Sequence, residues 1–163
     1  MSKRFLAIVP LLLALVFAGF LGGASAQDDS TVMTRDDPEL GTFLTDAEGM
    51  TLYLFTNDVP GSGKSVCNDQ CAVNWPPFTA EDPLTLPEGV PGELTQITRD
   101  DGTQQVAYNG QPLYYYHDDQ EPGDTTGQEV GGVWFVVSPG EPGATPMASP
   151  GATPMATPAT PTM

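Results

Sequence analysis

Residues 49–58 read GMTLYLFTND, and residues 110–119 read GQPLYYYHDD. Both spell G-x-x-L-Y-x-[aromatic]-x-x-D, so the chain carries one pattern twice, 61 residues apart. In each copy a glycine opens a turn, aromatic and aliphatic residues alternate, and an Asp closes the run. A period of two is the signal of a strand. Tyr53 and Phe55 fall on one face, as do Tyr114 and Tyr116; Leu52, Leu54, Leu113 and Tyr115 fall on the other. Apolar residues on both faces predict strands covered on both sides. Continued parity places Asp58 and Asp119 on the aliphatic face.

The duplication extends downstream. Asp58 is followed by Pro60-Gly61, and Asp119 by Pro122-Gly123. Trp75 lies 17 residues past Asp58, and Trp134 lies 15 past Asp119. Two units, about 41–79 and 102–138, are expected to pack about a pseudo-twofold axis, because neither can bury both its faces alone.

Between 27 and 138, short β-prone runs are separated by turn signals, and helical periodicity is nearly absent. Strands are expected at 30–35, in a hairpin of 41–45 with 50–56, in a meander of 93–99, 103–108 and 111–117, and at 132–138. Asn109-Gly110 is a two-residue hairpin signal, since both residues tolerate positive φ. The exception is SVCNDQCAVNW, 65–75, where Ser65 is a candidate N-cap and Pro76-Pro77 are a stop. A short helix is expected from about Val66 to Val73. The fold class is therefore all-β or mostly β: a small antiparallel sheet or barrel-like domain built from two related repeats, with one short helix.

The flanks read differently. Residues 1–26 combine Lys3 and Arg4, a long apolar run and a terminal A-S-A, the pattern of a signal peptide cleaved after Ala26. A retained membrane anchor is the alternative. No cysteine adjoins that site for lipid attachment, and no later apolar run is long enough to span a bilayer. A secreted or extracytoplasmic location follows. Residues 139–163 repeat A-T-P-M without an aromatic, and are expected to be a disordered tail, a candidate for O-glycosylation. Met147, Met155 and Met163 are too far apart, with no His or Cys beside them, to suggest copper.

The chain has 5 basic and 21 acidic residues, a net charge of −16. That excludes the clustered cations a nucleic acid or an anionic lipid surface needs. It suits an exported protein with an envelope or extracellular ligand, or one that attracts cations. Cys67 and Cys71 have only each other in an oxidising compartment. A structural disulfide is expected; a thiolate metal pair or a redox-active pair are the alternatives.

Candidate sites are few. His117 is the chain's one histidine and stands beside acids with no nucleophile elbow, so no catalytic residue is assigned. Asp58 and Asp119 sit where strands give way to Pro-Gly turns, and are expected to accept backbone N–H groups two or three residues on. The alternative pairs each with a Tyr hydroxyl in an acid–base or cation site. His117, Asp118, Asp119, Glu121 and Asp124 are weak candidates for Ca, Cu or Zn, but calcium-loop spacing is absent and no cofactor is assigned. Trp75 and Trp134, with the motif aromatics, are candidates for a ligand platform as well as for the core.

The runs GMTLYLFTNDVPGSGKSVCNDQCAVNWPPF and YNGQPLYYYHDDQEPGDTTGQEVGGVWFVV resemble the two units of the bacterial secreted-repeat family. Its members are predicted lipoproteins marked by Y-x-[FWY]-x-x-D. The resemblance covers about residues 41–138 and implies that Tyr53, Phe55, Asp58, Tyr114, Tyr116 and Asp119 are signature positions. It implies an exported envelope protein whose activity is unknown. Many members are lipid-anchored, whereas this chain lacks the cysteine at its signal cleavage site. The expected function is an exported non-enzymatic cell-envelope or secreted module, with a metal-binding or redox-associated protein as the alternative and an enzyme third.

Overall fold

The computed structural model describes residues 30–140. The signal segment, nearly all of the tail, and Met147, Met155 and Met163 lie outside these residues. The described chain runs β1 (Val32–Asp37), β2 (Gly41–Asp46), β3 (Tyr53–Phe55), α1 (Gln70–Asn74), β4 (Leu94–Thr98), β5 (Gln104–Tyr108), β6 (Gln111–Pro112) and β7 (Trp134–Val136). It is mostly strand, in small antiparallel sheets, with one short α-helix and one 3-10 turn at Val130–Gly132.

The centre is a layer of four short antiparallel segments. β3 pairs with β7 on one side, Tyr53 with Val136 and Phe55 with Trp134. On its other side Tyr53 bridges Tyr114, which in turn bridges Pro77. Tyr53 and Tyr114 exchange both backbone hydrogen bonds, at 2.8 and 2.9 Å. Bonds on one side of this pair recur on the other. Thr56 N–H donates to Val133 O and His117 N–H to Asn74 O. Leu44 N–H donates to Val137 O, Val137 N–H to Leu52 O, and Leu52 N–H to Leu44 O, closing a ring of three. Val106, Phe78 and Leu113 close the same ring in the same order. The contacts thus repeat as a twofold axis between Tyr53 and Tyr114 requires. They also cross: the last strand of each repeat lies beside the motif strand of the other.

Alternation sorts the core as the sequence predicts. Leu52, Leu113, Val32, Leu44, Phe78, Val106, Tyr108 and Val137 form one buried cluster, with Leu54 and Tyr115 packed on it. Tyr53, Phe55, Tyr114, Trp75, Trp134, Phe43, Cys67 and Val136 form the other, with Tyr116 and Cys71 packed on it. Asn109 and Gly110 take φ of 51° and 77°, the left-handed pair that a two-residue hairpin needs.

Three local expectations are corrected. The regular ladder at 111–117 ends at Pro112; Leu113 N–H still bonds Val106 O, and from Tyr114 on the chain leaves β5 to pair with Tyr53 of the other repeat. β2 pairs over its full length with β1 rather than with 50–56, which meets it only at the Thr45–Thr51 bridge and the Leu44 ring. The helix begins at Gln70, not near Val66, and Ser65 does not cap it. The segment before it turns inward instead, with Cys67 fully buried and Asp69 at a φ of 51°.

Candidate functional site

Asp58 and Asp119 do not keep the parity of Leu52 and Leu113. Each motif turns after its second aromatic, where Asp58 N–H bonds Phe55 O and Asp119 N–H bonds Tyr116 O. That turn swings the carboxylate to the aromatic side, where both Asp residues are buried. There the two motifs cross. Tyr53 Oη donates to Asp119 Oδ2 at 2.7 Å, and Tyr114 Oη donates to Asp58 Oδ2 at 2.5 Å. The second oxygen of each carboxylate holds a loop of its own repeat. Asp58 Oδ1 accepts the N–H of Val66 at 2.7 Å, and Asp119 Oδ1 accepts the N–H and the hydroxyl of Thr126 at 3.0 and 2.5 Å. These loops lie eight and seven residues downstream, further than an ordinary Asp turn reaches.

The aromatics cross in the same way. Phe55 stacks on Trp134 at 4.2 Å, Trp134 on Trp75 at 3.8 Å, and Trp75 on Tyr116 at 4.3 Å. The result is a stack of four rings ordered repeat one, two, one, two. Tyr53 and Tyr114 meet the edges of the tryptophans of their own repeats at 5.4 and 5.1 Å. Trp75 and Trp134 are each 4% exposed, so in this state the candidate platform is interior. The opening glycines cross too. Gly123 N–H donates to Gly49 O and Gly61 N–H to Gly110 O, both at 2.9 Å. A Cβ on Gly110 would lie 2.7 Å from Gly61 N, which is why the motif opens with glycine.

The two Tyr–Asp pairs differ in their surroundings. Beside Asp58, the buried Arg99 donates to Ser65 Oγ (2.9 Å), Gln105 Oε1 (2.6 Å), Asn68 Oδ1 (3.3 Å) and Cys67 O. Tyr114 gives its one proton to Asp58, so the 2.6 Å contact between Ser65 Oγ and Tyr114 Oη has Ser65 as donor. A directed chain therefore runs from Arg99 through Ser65 and Tyr114 to Asp58. Among the described residues the Asp119 carboxylate is bonded by Tyr53 and Thr126 and by no basic side chain; Gly127 N–H donates to Tyr53 Oη at 3.2 Å. Burial, then the adjoining carboxylate, pushes the phenols of Tyr53 and Tyr114 far above the ordinary tyrosine value. Burial also raises the Asp58 carboxyl, against the lowering pull of Tyr114, the Val66 N–H and Arg99.

The metal candidates are not drawn to one point. Asp119 faces inward to Tyr53, and Asp124 Oδ2 accepts the N–H groups of Gln120 and Glu121 within its own loop. His117 Nε2 stands 3.3 Å from Asp118 Oδ1 at the surface. Among the described residues no group of three His, Cys, Asp or Glu side chains is set to hold a metal ion. Cys67 and Cys71 form a disulfide that closes the loop before α1. Arg99, Ser65, Thr126 and Gly127 carry much of the site and stand outside the motif. Sequence offers no signal for them beyond a lone Arg at a hairpin turn.

A family described as a secreted repeat of unknown function matches the chain twice, over residues 31–79 and 95–138. Each match takes in the hairpin ahead of the motif strand, β1 and β2 in the first and, from Thr95 on, β4 and β5 in the second. No curated protein and no solved structure matches the chain.

Proposed function

The chain belongs to this family of secreted repeats, and from that membership we propose a non-enzymatic module of the cell envelope or extracellular space, with a binding or structural role. One observation carries the reading. The first Tyr and the Asp of each motif are buried and satisfied by one another, Tyr53 by Asp119 and Tyr114 by Asp58. A phenol held far above its ordinary titration range is a poor general base, and buried carboxylates already engaged on both oxygens, Asp58 by two donors and Asp119 by three, are poor nucleophiles. Among the described residues no helix is long and apolar enough to cross a membrane. The acidic composition keeps such a module soluble and turns it from anionic surfaces.

The test is binding of the labelled exported protein to isolated cell envelopes. Saturable binding is expected, and variants at Tyr53 or Asp58 should lose it only in proportion to their lost folded fraction. Turnover of any substrate that disappears in a Tyr53→Phe variant of unchanged melting temperature would overturn the non-enzymatic reading. Thermal shift with Ca, Cu or Zn separates the metal-binding alternative, which requires a rise that chelator reverses.

A further inference from the structure

The Tyr–Asp bonds, the four-ring stack and the glycine bonds of the two motifs all join one repeat to the other. Tyr meets Asp, aromatic meets Trp, glycine meets Pro-Gly, and each repeat carries both halves of each lock. A surface of that kind is self-complementary: repeat one fits any chain that presents repeat two. We propose that the interface also closes between copies of this chain, repeat two of one on repeat one of another, with Arg99 admitting only unlike repeats. This goes beyond the envelope role and rests on the contacts alone.

Arg99 is where the pseudo-symmetry fails. Leu44 and Val106 hold equivalent places in the two bond rings. Thr34 lies opposite Leu44 and Asp37 opposite Gly41; Gln96 lies opposite Val106, and Arg99 N–H bonds Thr103 O. Counting along the registers, Arg99 corresponds to Asp37. Repeat two therefore brings a guanidinium to Ser65, Cys67 O and Asn68 of repeat one. In repeat one the corresponding Asp37 turns its carboxylate back to the N–H groups of Glu39 and Leu40, so pairing two copies of repeat one would leave Ser65 Oγ, Cys67 O and Asn68 Oδ1 without the arginine donor. Val66 and Thr126 hold equivalent places as donors to Asp58 and Asp119, so Gly127 and Gln128 answer to Cys67 and Asn68, and pairing two copies of repeat two would bring Arg99 to acceptors already engaged. Gly127 O already takes Val130 N–H, and Gln128 Oε1 takes Val136 N–H. Acceptors left unpaired in the first case and a buried guanidinium short of free acceptors in the second both disfavour the like pairings.

The hinge is the connection 79–93, which contains Pro83, Pro87 and Pro91. Its Leu84 and Leu86 pack on the aliphatic cluster and can redock there in either arrangement. Closure within one chain has the advantage of an effective concentration of order millimolar, so exchange shows at comparable protein concentration.

The exported chain is unfolded and refolded at about 1 mM, the range in which closure between chains competes with closure within one. A dimer that persists on dilution is expected in size-exclusion chromatography and native mass spectrometry; monomer alone overturns the proposal. Chains carrying Trp75→Asp and Trp134→Asp are then refolded separately and together. Only the mixture contains one sound repeat of each kind on different chains. It should form a dimer and regain about half of the wild-type aromatic circular dichroism, as one domain in two is rebuilt. No gain over the separate samples refutes exchange. A folded dimer of either variant alone refutes the selection of unlike repeats. Adding Arg99→Met to the Trp75→Asp chain, which keeps repeat two sound, should permit self-pairing; continued failure to dimerise removes the role given to Arg99.

Discussion

Tyr53 and Tyr114 look alike in the sequence and are held by the same kind of bond, yet they should not respond alike to mutation. Tyr53→Phe removes the Asp119 partner and leaves Gly127 N–H without its acceptor. A loss of about 1–3 kcal/mol is expected, the cost of an unsatisfied buried polar group. Tyr114→Phe breaks the chain from Arg99 to Asp58 at its middle and strands Ser65 as well, so its loss should be the larger. Urea unfolding of both variants checks the order; equal losses would mean that Arg99 and Ser65 contribute little. Gly127 offers a test free of hydrogen bonding. A Cβ there would lie 2.8 Å from Tyr53 Cζ and 2.9 Å from Trp75, and neither buried ring can move aside. Gly127→Ala should cost about 1–3 kcal/mol through overpacking. Gly131 and Gly132 stand at positive φ with no close neighbour, so alanine there costs backbone strain alone.

Among the elements, the four-ring stack and the disulfide loop make separable predictions. Trp75 and Trp134 lie 3.8 Å apart with planes 4° from parallel, closer to face-to-face than most aromatic pairs. Two indoles so placed couple their excited states. The far-ultraviolet circular dichroism should carry an exciton couplet that vanishes in either Trp→Phe variant, even where the variant stays folded. The Cys67–Cys71 bridge closes a loop of five residues, for which chain entropy predicts about 2 kcal/mol. Its loss should also loosen the Cys67 carbonyl that receives Arg99. Cys67→Ser/Cys71→Ser is therefore expected to lower stability by at least that amount and to amplify the effect of Arg99→Met; additive losses would uncouple the two. The helix shows why this loop resisted sequence reasoning. Ser65 stands where an N-cap belongs, but a buried arginine and a tyrosine hydroxyl claim its oxygen. Side-chain groups 34 and 49 residues away outcompete local capping.

Taken as one body, the domain should unfold in a single transition, because neither repeat keeps its core when the other leaves. Alkali should drive that transition. Tyr53 and Tyr114 hold their protons in the folded state well above the ordinary tyrosine value, while the unfolded chain releases them near pH 10. Above that pH the unfolded state binds fewer protons, so stability falls as pH rises, by about 1.4 kcal/mol per pH unit for each phenol. Phenolate absorbance from these two residues should appear together with the loss of aromatic circular dichroism. Phenolate formation in a protein that keeps its aromatic signal would mean that the hydroxyls reach solvent.

The sequence carried the duplication, the β character, the sorting of aromatics and aliphatics onto two faces, the Asn109-Gly110 turn and the Cys67–Cys71 pair. Each follows from spacing along a few adjacent residues, because strand parity, turn chemistry and a short disulfide loop are local. It did not reveal that the Asp of one copy serves the Tyr of the other, or that Trp75 stacks on Tyr116 and Trp134 on Phe55. Two identical motifs allow pairing within a repeat or between repeats with the same residues, and spacing along the chain does not distinguish them. The choice came from three dimensions. The turns after Phe55 and Tyr116 swing the carboxylates across the axis, and the bond rings at Leu44 and Val106 fix which strands lie side by side.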